Sequence, residues 1–200
     1  QEEPGFHELP EILWKFKTEG MVFSSPSIAD GVVYCGSDDN HLYAVDAKTG
    51  KVRWKFETKE DVSSSPTIAD GMVYFGSGDS HLYAVSAETG EEKWNFKTGR
   101  GLFSSPTIQD SIIYFGSDDN HLYAVNIETG KEKWKFKTGS YIFSSPVIAD
   151  GVVYCGSWDN NLHAVDIRTG VEKWKFKTNA WISSSPLVDD GVVCTDIIPI

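Results

Sequence analysis

The chain has 200 residues and a formal net charge of −11, with 40% hydrophobic and 13% aromatic residues. That is ample for a core, and no stretch approaches the roughly 20 apolar residues of a membrane helix. The acidic balance argues against nucleic acid or an anionic membrane as partner, since both reward clustered Lys and Arg.

Taken from its start, the chain opens with residues 1–12, read as an N-terminal extension. Gln1 to Gly5 has neither the basic start nor the apolar centre of a signal peptide. Trp14-Lys15-Phe16 then introduces a pattern that recurs. Trp14, Trp54, Trp94, Trp134 and Trp174 are each 40 residues apart, and Gly36 to Phe56 returns as Gly76 to Phe96, Gly116 to Phe136 and Gly156 to Phe176. A fixed period of this length marks a repeat architecture, in which each unit packs on its neighbours and the count of units replaces the count of domains.

Each repeat reads as four strands, and the copy from Ser64 to Thr98 shows why. Ser64-Ser65-Pro66-Thr67-Ile68-Ala69 predicts a short strand A, and Asp70-Gly71 a tight turn into strand B, Met72 to Ser77. Gly78-Asp79-Ser80 turns the chain into the alternating strand C, His81 to Val85, and Thr89-Gly90 into strand D, Lys93 to Thr98. No helical period occurs in the unit, and the runs are β-branched and aromatic. Four antiparallel strands per 40 residues predict an all-β fold, a β-propeller of four-stranded blades.

Strand A, with its small residues, is expected to line the central channel. Strand D alternates Lys with Trp and Phe, as in Lys133-Trp134-Lys135-Phe136-Lys137, which suits an outer edge that must not pair with another molecule. Five blades are predicted, starting near residues 24, 64, 104, 144 and 184 and spanning 13–200, with the strand at 13–18 completing the last blade. The segment Asp196 to Ile200 lacks the strand C pattern, so two arrangements stay open: a ring of five with a stunted last blade, or part of a larger ring. A closed ring implies a monomer, an open one self-association.

Ala44-Val45-Asp46-Ala47-Lys48-Thr49-Gly50-Lys51-Val52-Arg53-Trp54 matches the pattern AxDxxTGxxxW, and it recurs at Ala84 to Trp94, Ala124 to Trp134 and Ala164 to Trp174, with Ser86 and Asn126 in place of Asp. In this the chain resembles the PQQ-enzyme-repeat β-propellers of quinoprotein dehydrogenases, and among them the non-enzymatic, BamB-like branch. The resemblance implies tryptophan docking between blades by Trp14, Trp54, Trp94, Trp134 and Trp174, against turns built on Gly50, Gly90, Gly130 and Gly170. It also implies a location outside the cytoplasm, extracellular or periplasmic. Quinoprotein enzymes carry adjacent cysteines and a distinct acidic cluster for PQQ and calcium. Here Cys35, Cys155 and Cys194 are scattered, so no cofactor, no metal and no catalytic residue is expected.

Cys35 and Cys155 share a column with Phe75 and Phe115, which predicts packing. His41, His81 and His121 share another; a blade's width separates such equivalents, too far for one ion with ligand bonds of about 2 Å, so a structural role is predicted. The Asp-Asp-Asn turns lack the glycine and final Glu of a calcium-binding loop.

Strand direction places the A–B and C–D turns on one face and the B–C and D–A loops on the other. The first face is nearly uniform. On the second, the D–A column reads Met21, Asp61, Gly101, Tyr141, Trp181, and the B–C column Asp38, Gly78, Asp118, Trp158. Tyr141, Trp158 and Trp181 are therefore the candidate partner-binding residues of a non-catalytic scaffold, for a protein or peptide ahead of a carbohydrate. A fragment or relative of a PQQ-dependent dehydrogenase, and a recently duplicated or engineered repeat without ligand, are the alternatives.

Overall fold

The computed structural model describes residues 11–195. Eighteen strands are formed among them, and no helix. The first blade is β1 (Ser27–Ala29), β2 (Val32–Ser37), β3 (His41–Asp46) and β4 (Val52–Glu57); the second is β5 (Thr67–Ala69), β6 (Met72–Gly76), β7 (His81–Ser86) and β8 (Glu92–Lys97). The third is β9 (Thr107–Gln109), β10 (Ile112–Gly116), β11 (His121–Asn126) and β12 (Glu132–Lys137), and the fourth β13 (Val147–Ala149), β14 (Val152–Ser157), β15 (Asn161–Asp166) and β16 (Glu172–Lys177). Each is an antiparallel four-stranded sheet in sequence order, and β17 (Leu187–Asp189) with β18 (Val192–Cys194) forms a two-stranded sheet that begins the fifth.

Consecutive A strands touch, β1 on β5, β5 on β9, β9 on β13 and β13 on β17, so strand A is the inner edge, as expected. Strand D is the outer one, its Lys positions exposed and its Trp and Phe half-buried in the first three blades. Between A and B, two-residue turns such as Asp70-Gly71 carry positive φ at both residues, 49° and 71°, which matches the twist of the strands they join. In the third blade Ser111 holds that second position at φ 60°, a conformation glycine adopts at lower cost.

The cores lie between blades. Val32, Tyr34, Leu42 and Ala44 of the first sheet pack on Val62, Val73, Phe75, Tyr83 and Val85 of the second, and the same occurs between the second and third and the third and fourth. A single blade therefore buries little alone, and its stability comes from its neighbours. The inner edge adds a hydrogen-bond ladder that explains the repeated Ser-Ser-Pro. The first Ser accepts within its blade, as Ser64 Oγ does from Gly76 N at 2.9 Å. The second links blades, Ser65 N donating to Ser105 Oγ at 2.9 Å and Ser105 N to Ser145 Oγ at 3.0 Å. The Pro carbonyl accepts from the preceding blade, Thr107 Oγ1 reaching Pro146 O at 2.6 Å.

At the outer side the joint is a tryptophan. Trp54 donates its indole N–H to Ala87 O at 3.0 Å, Trp94 to Ile127 O at 2.9 Å and Trp134 to Ile167 O at 3.0 Å, each reaching the C–D turn of the next blade. A Cβ at Gly90, where φ is 75°, would lie 2.7 Å from Trp54 Cδ2, so the ring rests where a side chain would stand. The turn beneath is held by its own side chains: Asp46 Oδ1 accepts from Thr49 N and Thr49 Oγ1, both at 2.9 Å. Asn126 makes the equivalent bonds to Thr129, and Ser86 a longer one of 3.3 Å to Thr89 N.

Trp14 docks as expected, while the strand at 13–18 and the Trp174 joint differ from expectation. Trp14 bonds Ala47 O at 2.9 Å and lies on Gly50, so it joins the first blade as Trp54 joins the second. Residues 11–18 take no ladder partner among the described residues, so the strand expected at 13–18 is not formed there; the stunted strand that would pair with it falls in 196–200, outside the described residues. Trp174, placed in sequence among the joints, is 42% exposed and finds no carbonyl for its N–H among the described residues. Phe176 beside it is exposed too.

Replacing Gly90 by Ala combines an unfavourable φ with the Trp54 ring, and is expected to cost about 2 kcal/mol or more. For a chain of this size that is a fall in Tm of roughly 4–8 °C. A thermal melt checks it; an unchanged Tm would show that the joint contributes nothing.

Candidate functional site

The two variable columns are neighbours because the backbone pairs them. Asp38 N donates to Met21 O, Gly78 N to Asp61 O, Asp118 N to Gly101 O and Trp158 N to Tyr141 O, at 2.9–3.1 Å. Each B–C loop is thereby clamped to the D–A loop leading into its own blade. Side chains at these positions stand side by side whatever their identity.

In the fourth blade this brings the predicted aromatics together. Tyr141 and Trp158 have ring centroids 5.7 Å apart, and Trp158 and Trp181 4.2 Å. Trp158 is anchored by an N–H bond to Ser183 Oγ at 2.9 Å, while Trp181 is 43% exposed. Three residues from two blades thus form one surface.

The cluster is larger than the sequence reading. Phe143 stacks on Trp158 at 4.8 Å, and Phe103 stacks on Phe143 at 5.5 Å. Arg100 covers Tyr141, its Cζ 5.6 Å from the ring centre and its Nη1 donating to Tyr141 Oη at 2.8 Å. A signal for the phenylalanines was present in sequence, since the column two residues beyond Tyr141 reads Phe23, Ser63, Phe103, Phe143, Ser183. Its importance depended on a contact step that the sequence does not display. Ser63 Oγ bonds Asp38 Oδ1 at 3.1 Å and Ser183 Oγ bonds the Trp158 indole, so this column reaches back 25 residues to the preceding blade's B–C loop.

By that step, the residue opposite Asp118 is Phe143, which has no donor where Ser63 supplies one to Asp38. Asp118 Oδ1 is buried and unpartnered, as among the described residues are Asp39 Oδ1 and Asn120 Oδ1. Burial pushes the Asp118 carboxyl up to about 6, with Asp119 adding to the rise and the Arg100 guanidinium opposing it.

The histidines of these loops and the aspartates two residues before them have structural partners. His41, His81 and His121 each place Nδ1 2.8–3.0 Å from a backbone oxygen two residues back, Asp39, Asp79 or Asp119. Those same aspartates accept from Tyr43, Tyr83 and Tyr123 Oη, and from a backbone N–H of the preceding loop. In the fourth blade His163 replaces the tyrosine and lies buried between Asp159 and Glu172, 2.8 Å from the latter. Burial would hold its pKa down, but the two carboxylates outweigh burial and raise it. Cys35 and Cys155 are buried, with the Cys155 thiol pushed by burial up to about 12, so it is an inert core residue; Cys194 is exposed. Among the described residues no three His, Cys, Asp or Glu side chains are grouped to hold a metal ion.

These features define a β-propeller of four-stranded antiparallel blades, with one face of near-identical turns and one face whose loops differ. The chain belongs to the family of the outer membrane protein assembly factor BamB, whose model matches residues 10–105 and 96–196. Among solved structures it is similar to BamB from Moraxella catarrhalis, with a TM-score of 0.78 and 20% identity over 88% of this chain and 58% of that one. It is also similar to the computationally designed Ika8 protein, with a TM-score of 0.74 and 17% identity over 85% of this chain and 54% of that one. The chain thus spans little more than half the length of either. No curated protein sequence matches it.

The raised Asp118 carboxyl gives a signed pH dependence. A proton bound more tightly in the folded state than in the unfolded one means that the ionised group opposes folding. That penalty is absent below about pH 4 and complete above about pH 7. Asp118→Asn is expected to raise Tm at pH 7.5 by about 2–4 °C, for about 1 kcal/mol after allowing for partial solvent screening, and to change it little at pH 4. Differential scanning calorimetry at the two pH values measures this; a loss of stability at pH 7.5 would contradict it.

Proposed function

We propose that the protein is a non-catalytic scaffold that captures a protein or peptide through the face carrying its B–C and D–A loops. The supporting observation is the confinement of sequence variation to that face, ending in one sector where Tyr141, Phe143, Trp158 and Trp181 form a continuous, partly exposed aromatic surface. A repeat protein needs no such departure for folding, because the positions of Tyr141, Trp158 and Trp181 are met by Met, Asp and Gly in other blades. Partly exposed aromatics that stack on one another are the groups that contribute most at protein interfaces. The family's description as an assembly factor agrees with this reading and favours a site of action outside the cytoplasm.

The experiment is selection of a displayed random peptide library on the purified chain. The native protein is expected to enrich a peptide family, and replacement of Tyr141, Trp158 and Trp181 by Ala to abolish it. If the triple variant has lost its cooperative melt, Trp181→Ala carries the test, because Trp181 is the most exposed of the three. Undiminished enrichment on a folded variant overturns the proposal.

The dehydrogenase alternative has a separate readout. Mixing the protein with PQQ and calcium is expected to leave the quinone spectrum as in buffer. A shifted spectrum with alcohol-dependent dye reduction would replace the scaffold reading by an enzymatic one.

A further inference from the structure

The aromatic wall has a neighbour of opposite character on the same face. Across loops 18–23, 58–63, 98–103, 138–143 and 178–183 and loops 37–40, 77–80, 117–120 and 157–160, the carboxylates are Glu19, Asp38, Asp39, Glu60, Asp61, Asp79, Asp118, Asp119 and Asp159. The cations are Lys59 and Arg100. Asp39, Asp79, Asp119 and Asp159 are engaged by Tyr43, Tyr83, Tyr123 and His163, and Asp38 by Ser63. Asp118 is not so engaged, and it stands where the acidic loops meet the aromatic ones.

Two substitutions in the repeat create this. Phe143 occupies the place from which a serine would donate to Asp118, and Arg100 is turned to Tyr141 Oη. Either a serine at 143 or the polar head of Arg100 bonded to Asp118 would have satisfied its Oδ1, which instead is buried and without a partner. An acceptor left unmade costs about 1–3 kcal/mol, and the Asp118 side chain as a whole is only half-buried, so its carboxylate is open to a donor from a partner.

We propose that the partner of this face is a basic, apolar peptide segment, in which a Lys or Arg side chain donates to Asp118 while an adjacent apolar or aromatic residue packs on Phe143, Trp158 and Trp181. The inference rests on the scaffold reading and adds the chemistry of the occupant. The excess of carboxylates on the neighbouring loops speeds its approach, and salt weakens that attraction.

The test uses the peptides enriched from the displayed library, resynthesised and titrated on the full chain by isothermal calorimetry. Expected are sequences with Lys or Arg beside an apolar residue, bound about tenfold or more weakly by Asp118→Asn than by the native protein, the effect of losing one charge-assisted hydrogen bond. Exchange of that Lys for norleucine should weaken binding to the native protein and make little further difference to the variant. A cooperative melt verifies that Asp118→Asn is folded. Peptides that depend on Trp181 but lack cations, or bind the Asn variant equally well, overturn this inference and leave the scaffold reading standing. Peptides indifferent to Trp181, or no enriched peptide at all, overturn both. Self-association removed by Trp181→Ala, or glycan-array binding in place of peptide binding, assigns the face to a second copy or a sugar and overturns the basic-peptide occupant.

Discussion

The structure depends on a ring seated where a side chain is missing. Each interior Trp reaches out of its own blade, lays its indole on the glycine of the next blade's turn and donates to a carbonyl three residues earlier. Glycine serves twice there, through its positive φ and through its lack of a Cβ, and Asp, Asn or Ser with Thr holds the turn beneath the ring. Since the cores also lie between sheets, this joint and the inner serine ladder are the two ends of one interface, and the blades stand or fall as a series.

That arrangement leaves one face free to change. The A–B and C–D turns belong to the joint, and any departure there disturbs a ring, a hydrogen bond or a left-handed turn. The B–C and D–A loops are held to each other through the backbone instead. Their side chains are therefore released from structural duty at several positions, and it is there that Met21, Asp61, Gly101, Tyr141 and Trp181 diverge. The variable face is a consequence of where the fold keeps its fastenings.

Among the described residues, apolar side chains are exposed on the outer strand of the fourth blade and in the first and fifth blades. Trp174 and Phe176 carry the half of a joint, and Ile28, Leu187 and Val192 are more than half exposed. In the interior of the chain the equivalent Trp rings lie on glycine and bond a carbonyl. The aromatic wall differs from these positions in that its rings stack on one another.

The sequence by itself determined the repeat, its four strands, the turns between them and the side of the sheet that could vary. Those follow from local rules: alternation, turn residues and a fixed period of 40. It also picked out Tyr141, Trp158 and Trp181, because a residue that breaks a repeat is visible against its copies. Phe103, Phe143, Arg100 and the unpartnered Oδ1 of Asp118 were decided only by tertiary structure. Their contacts join one blade's entry loop to the preceding blade's B–C loop, a step of 25 residues that no turn signal encodes, so a serine-to-phenylalanine change in one column became an orphaned carboxylate in another.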